Sequence, residues 1–212
     1  MTAKLLLLIV CWLIYAIIHS LLASSICKQW VMLRFPKLFP GYRLAFNLIA
    51  FILIIPPLWL TYGIEGPMLW SWQGAWLWIK LLLTLAATLG FVWSLRYYDL
   101  DEFWGIKAWQ NRHQPLDEHC HNFTISPLHR FVRHPWYFFA LVILWTRDMD
   151  AAFLTTSIVL TLYFVIGSHL EEKKLLKEYG ERYKRYQEKV PSLIPLPWRY
   201  LKADEVEAIL TA

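Results

Sequence analysis

The sequence predicts an all-α integral membrane bundle of about five transmembrane helices with a cytoplasmic C-terminal helix. Three observations carry that prediction. The 212 residues are 58% hydrophobic and only 17% charged, with a mean hydropathy of +0.38. A soluble domain is about 45–50% apolar and about 25% charged. The apolar residues fall in long uncharged blocks, and a spanning helix needs about 20 such residues. The basic residues sit between and after these blocks, as in cytoplasmic membrane loops. The net charge of +5 therefore does not point to nucleic acid. The chain is too apolar for disorder. Cys11, Cys27 and Cys120 are too few and too scattered for a disulfide framework.

The blocks follow in order. Residues 5–27 carry no Asp, Glu, Lys or Arg, and neither do residues 44–64. The first block reads as a retained helix and not as a signal peptide, because four more apolar blocks follow it. Pro56-Pro57 predicts a kink in the second block. Residues 66–95 contain one charged side chain, Lys80, whose ammonium can snorkel to the interface. Residues 135–146 are apolar but cover only about 18 Å as a helix, short of a bilayer core. They read as half of a hairpin with residues 151–168, turning at 146–150. Whether the short block crosses or only dips in stays open.

Loop charge sets the orientation. Residues 28–43 hold Lys28, Arg34, Lys37 and Arg43 and no acid, whereas residues 63–74 hold Glu65 and no base. Arg96, Lys107, Arg112, Arg130 and Arg133 follow in 96–134, and nine Lys or Arg lie after Leu170. The positive-inside rule then puts 28–43, 96–134 and the tail in the cytoplasm and the N terminus outside. Trp70, Trp72, Trp76 and Trp78 mark the outer end of the third helix. Leu175, Leu176, Tyr179, Tyr183, Tyr186 and Val190 recur at helical spacing, which predicts an amphipathic helix ended by Pro191.

Ionisable groups at membrane depth are rare and repay attention. Here they are His19, Arg96, Asp99, Arg133, His134, His169, Glu171 and Glu172. All but His19 lie near a cytoplasmic helix end, so one cytoplasm-facing pocket is expected. Pro135 suits a first helical turn, and the helix N terminus beside Arg133-His134 favours an anionic group such as a carboxylate. Six of the seven histidines fall between 113 and 169. His119-Cys120-His121 places ligands side by side, which is awkward for zinc. The loop reads as a metal site, a solvated polar loop or a cofactor-lining loop, with no metal as the expectation. No dinucleotide fingerprint, phosphate-binding loop, nucleophile elbow or zincin motif is present.

Arg133-His134-Pro135-Trp136-Tyr137 reads R-H-P-x-Y. After the hairpin come Glu171-Glu172, Leu175, Gly180, Tyr183, Tyr186, Val190, Pro191 and Pro195. Over about residues 114–197 this resembles the isoprenylcysteine carboxyl methyltransferase family and its phospholipid methyltransferase relatives. His19-Ser20-Leu21-Leu22, Tyr42-Arg43 with Asn47, and Tyr98-Asp99-Leu100 through Gly105 resemble the bacterial branch of NnrU-like proteins and methanethiol S-methyltransferases. The resemblance implies an integral membrane enzyme, in the bacterial inner membrane, that uses S-adenosyl-L-methionine. It implies Gln114, His121, Thr124, His129, His134, Tyr137 and Glu172 as cofactor-binding residues. Residues 1–97 are then three membrane helices and 98–134 a cytoplasmic cofactor-lining loop. Residues 135–170 are the short hairpin and 171–212 the cytoplasmic helix and tail.

Val165 and His169 stand where the eukaryotic carboxyl methyltransferases carry an arginine and a further glutamate, so the carboxylate clamp is missing. A thiol acceptor must lose its proton, since the thiolate is the nucleophile. His169 or His134 can accept it, with His169 assigned to the acceptor side and Arg133 to organising the pocket. The expected partners are membrane lipids and an apolar small-molecule or lipid-linked methyl acceptor, a small thiol first. Carboxyl methylation of prenylcysteine-like substrates and phospholipid N-methylation are the alternatives. A non-enzymatic transport or assembly protein is the reading of another class, and it predicts no cofactor binding.

Overall fold

The computed structural model describes residues 1–112 and 123–210. Their elements, in chain order, are α1 Thr2–Ala23, α2 Ser25–Arg34, α3 Tyr42–Leu53, α4 Ile55–Gly63, β1 Met68–Trp70 and α5 Ala75–Ser94. Then follow α6 Leu100–Trp104, α7 Ile106–Gln110, α8 Pro135–Trp145, β2 Met149–Asp150, α9 Ala151–Tyr179, α10 Glu181–Lys189 and α11 Ala203–Leu210. Among the described residues, four stretches are long and apolar enough to cross a membrane: Thr2–Ala23, Phe39–Gly63, Ala75–Tyr97 and Ala151–Tyr179. Pro135–Trp145 is the shorter apolar helix. This is the all-α membrane bundle that the composition predicts.

The described residues form two compact units: 1–71, 98–112 and 148–159 in one, 72–97, 123–147 and 160–210 in the other. In the first unit α1 packs on α3 and α4. The break at Ile54 between α3 and α4 precedes Pro56-Pro57, which remove two backbone donors from the next turn. Leu8 and Trp12 of α1 are fully buried. The Trp12 Nε1–H donates to Thr156 Oγ1 at 3.1 Å. Thr61 donates to the Pro57 carbonyl at 2.7 Å, so the 2.7 Å contact between Thr61 and Thr156 has Thr156 as donor. β1 and β2 pair antiparallel within the same unit.

In the second unit α5 packs on α8. Gly90 makes the approach possible, because a Cβ there would stand 2.7 Å from the Phe139 ring. Trp136 Nε1–H donates to Ser94 Oγ at 2.8 Å, and Thr84 and Thr146 share a 2.9 Å bond. Trp145 Nε1–H reaches Thr161 of α9 at 3.0 Å. Tyr183, Tyr186, Val190, Leu201 and Ile209 form a small buried core beneath the C-terminal helices.

Three details differ from the sequence reading. The first helix stops at Ala23, because Ser24 turns extended and its hydroxyl caps a new helix by accepting from the Cys27 N–H. Much of the expected loop 28–43 is therefore helical. The last long helix does not end at 168 but runs on to Tyr179, carrying Glu171 and Glu172. The amphipathic tail helix is split at Gly180, whose φ of +57° favours glycine, and α10 starts after it.

Candidate functional site

The site grows from the segment before α8. Pro135 occupies the first turn of α8, and its missing N–H costs nothing there. The two preceding backbone N–H groups are directed at the tail: Arg133 N donates to the Pro191 carbonyl at 2.9 Å and His134 N to the Ser192 carbonyl at 3.0 Å. This brings both side chains against α9. Arg133 grips Glu172 with a two-pronged contact, Nε to Oε1 and Nη2 to Oε2, each 2.9 Å. Such fork-to-fork pairs are among the stronger hydrogen bonds. Its Nη1 donates to the Gln187 and Val190 carbonyls.

Glu172 takes three further donors. His134 Nε2 lies 3.0 Å from Oε1, Ser192 Oγ–H donates to Oε1 at 2.8 Å, and Gln187 Nε2–H donates to Oε2 at 3.0 Å. The carboxylate is buried and fully engaged. Burying a charge is tolerated only with this degree of pairing. Glu171 is built differently. Its side chain is half exposed, 3.5 Å from His134 Nδ1, and accepts from the Tyr137 hydroxyl at 3.3 Å. The Tyr137 ring stacks between His134 and Phe164, at 5.3 and 5.0 Å.

Above this floor lies a cleft of about 290 Å³. Thr124, His129, Arg133, His134 and Glu171 form its polar side, and Phe123, Leu175, Tyr179, Tyr183 and Tyr186 its apolar side. Phe123 packs against three tyrosines, stacked on Tyr179 at 5.2 Å and edge-on to Tyr183 and Tyr186. The Tyr186 hydroxyl donates to the His129 carbonyl at 2.6 Å, tying α10 to the loop.

The two cleft imidazoles are held in opposite states. For His134, burial favours the neutral ring, but hydrogen bonds to Glu171 and Glu172 outweigh it and raise the pKa above its usual value. For His129, burial dominates, and the nearby charge of His134 adds to it, so the pKa falls to about 4. His129 is therefore neutral, with Nδ1 2.7 Å from Ser126 Oγ.

The structure brings Thr124, His129, Arg133 and His134 together around one cleft. Glu172 lies in its floor, and Tyr137 adjoins through Glu171. His169 does not line the cleft. It is exposed on α9, with Nδ1 2.7 Å from the Val165 carbonyl. Gln114 and His121 lie outside the described residues, as do His119 and Cys120. Sequence reasoning placed Glu171 in the expected pocket but gave the cofactor role to its neighbour Glu172. It marked Tyr179, Tyr183 and Tyr186 by their helical spacing only as an apolar face, not as a ring wall of the cleft.

Comparison with known proteins adds to the geometry. The chain is similar to the methanethiol S-methyltransferase of Pseudomonas deceptionensis, 28% identical over 193 residues that cover 86% of this chain and 69% of that protein. A protein of the same name from Pseudomonas sp. strain GM41 is 29% identical over 197 residues, covering 86% and 70%. One from Crocosphaera subtropica is 27% identical over 191 residues, covering 86% and 71%. No family model matches the chain. No solved structure matches it either. The relatives bear out the resemblance carried by the motifs, and with it an enzyme of the methyltransferase class.

Proposed function

We propose that the protein is a bacterial inner-membrane methyltransferase that uses S-adenosyl-L-methionine to methylate a small apolar thiol. The observation that carries this reading is the cleft, with a ring wall on one side and a half-exposed carboxylate, a hydroxyl and a neutral imidazole on the other. The donor is a purine nucleoside joined to a cationic sulfur and an amino acid, and these groups suit its parts. Phe123, Tyr179, Tyr183 and Tyr186 offer ring faces to the purine and to the cationic sulfur. Glu171 offers its carboxylate to an ammonium group. Thr124 and His129 offer hydrogen bonds to hydroxyls. Gln114 and His121 join this set by the motif alone. Glu172, Arg133 and Tyr137 hold the floor in place.

When bound, the cofactor supplies an electrophilic methyl group. The work left to the chain is positioning, since in-line transfer demands reacting atoms at about 3 Å. It must also take the proton of the thiol. His134 is poorly suited to that, because both of its ring nitrogens face carboxylates and its proton is retained. His169 is better suited. A carbonyl can only accept, so His169 Nδ1 carries the hydrogen towards Val165. In the neutral ring, Nε2 is then the basic nitrogen. His169 is exposed on an apolar helix, where an acceptor dissolved in lipid arrives. The charge pattern supports an N terminus outside and a C-terminal tail in the cytoplasm.

The test is direct. Purified, reconstituted protein is given S-adenosyl-L-methionine and methanethiol, and dimethyl sulfide is measured in the headspace. Parallel reactions offer a prenylcysteine analogue and phosphatidylethanolamine. Dimethyl sulfide is expected, with His169→Ala lowering turnover more than affinity for S-adenosylhomocysteine. Methylation of either other acceptor with no dimethyl sulfide would replace the thiol reading. A folded protein that binds no S-adenosylhomocysteine would favour a transport or assembly role.

A further inference from the structure

The first unit carries a second pocket that the methyltransferase reading does not use. It holds about 170 Å³ and is lined by Ala23, Lys28, Tyr42, Arg43 and Phe46. These residues come from the end of α1, the start of α2 and the start of α3, so the pocket sits where two spanning segments meet the membrane surface. Its charge is one-sided. Residues 1–64 contain no Asp or Glu, and their basic residues are Lys4, Lys28, Arg34, Lys37 and Arg43.

Arg43 is also ordered. Arg43 Nε–H donates to the Phe103 carbonyl at 3.0 Å, and the guanidinium lies 5.8 Å from the Phe103 ring centre. Asn47 donates to the same carbonyl at 3.2 Å. The Tyr42 hydroxyl donates to the Leu22 carbonyl at 2.5 Å and contacts Cys27 Sγ at 3.4 Å, joining α3 to the turn between α1 and α2. The dipole of α3, which begins at Tyr42, adds to the preference for an anion.

An independent observation bears on the depth. No residue of α2 is buried. Ile26, Trp30 and Leu33 are 79%, 59% and 80% exposed. Their spacing puts them on one face. Cys27, Val31 and Met32 are partly covered on the other side, where Lys28 also lies. A short helix that leaves a membrane span with an open apolar face and a lysine on the opposite side suits the interfacial plane. That lysine then stands at the level of lipid headgroups.

We propose that this pocket binds the phosphate of an anionic phospholipid headgroup, with Lys28 and Arg43 as its charge partners and α2 lying in the interface. The exposed row of Ile26, Trp30 and Leu33 is the reason for naming a lipid phosphate and not a free one, since a free anion needs no apolar surface beside it. Each cation near an anionic surface is worth about fivefold in binding.

Native mass spectrometry tests this on protein extracted from bilayers of equal phosphatidylglycerol and phosphatidylcholine. Preferential retention of phosphatidylglycerol is expected, falling about fivefold in Lys28→Gln and unchanged in Lys4→Gln. Arg43 is left in place because it also holds the Phe103 carbonyl. Equal retention of the two lipids, or Lys28→Gln behaving like wild type, overturns the proposal. A second arm adds inorganic phosphate to the extracted protein. Saturable phosphate binding without phosphatidylglycerol enrichment overturns the lipid as occupant. The methyl-transfer reading is untouched by either result.

Discussion

In the first unit a buried indole and two buried threonine hydroxyls, Trp12, Thr61 and Thr156, hand one hydrogen bond to the next. The second unit adds a guanidinium, an imidazole and a carboxylate to its buried hydroxyls, and Glu172 alone takes contacts from Arg133, His134, Gln187 and Ser192. Neutral groups are inexpensive to bury and can join helices inside the span. A buried charge must be surrounded, and a membrane helix alone cannot surround it. The tail supplies what is needed here, since Gln187, Pro191 and Ser192 close over the R-H-P segment. Charged chemistry therefore gathers where helix ends meet a folded tail.

The largest expected effect breaks that contrast at its centre. Glu172→Ala leaves Arg133 and His134 buried without their carboxylate and should cost about 3–5 kcal/mol, read as a lower melting temperature in detergent and a poorer yield. Gly90→Ala should come next. The added Cβ drives into Phe139 and should cost about 1–3 kcal/mol, with Phe139→Leu in the same chain recovering part of it. Thr156→Val removes the acceptor for Trp12 but no charge, and should cost only about 1 kcal/mol. If Thr156→Val proved as damaging as Glu172→Ala, the contrast between the units would fail.

Acidity sharpens the comparison further. His134 has a raised pKa in the fold, so its contribution to stability is complete below about pH 6.5 and is lost as pH rises through that raised value. His129 has a pKa lowered to about 4, so its contribution is present above about pH 6.5 and is lost as pH falls towards 4. Melting temperature should therefore fall on both sides of near-neutral pH. His129→Gln should flatten the acid side and spare the alkaline side. An unchanged acid limb in that variant would refute the assignment.

The spans were legible because lipid demands long uncharged blocks, and four of them appear as continuous apolar stretches. The R-H-P and E-E motifs were legible because charged residues at membrane depth stand out from an apolar background. Other features were hidden for physical reasons. The cap at Ser24 is one hydroxyl in an apolar run, so a single block masked two helices. The short β1–β2 pairing joins residues some eighty positions apart, a partnership no local pattern announces. The division between Glu171 and Glu172 depends on which way two adjacent side chains leave a helix and on what the tail places over one of them. Adjacent positions on a helix point about 100° apart, so only the fold decides which carboxylate is enclosed and which faces the cleft.

That division carries the account, and calorimetric binding of S-adenosylhomocysteine to detergent-purified protein tests it most directly. Wild type should bind at micromolar concentration. Glu171→Gln should stay folded, with a far smaller loss of melting temperature than Glu172→Ala, yet bind at least about tenfold more weakly, the loss of one charged contact at an exposed carboxylate. Equal affinity in wild type and Glu171→Gln, or no binding by a protein shown to be folded, would contradict the claim that this cleft holds the methyl donor.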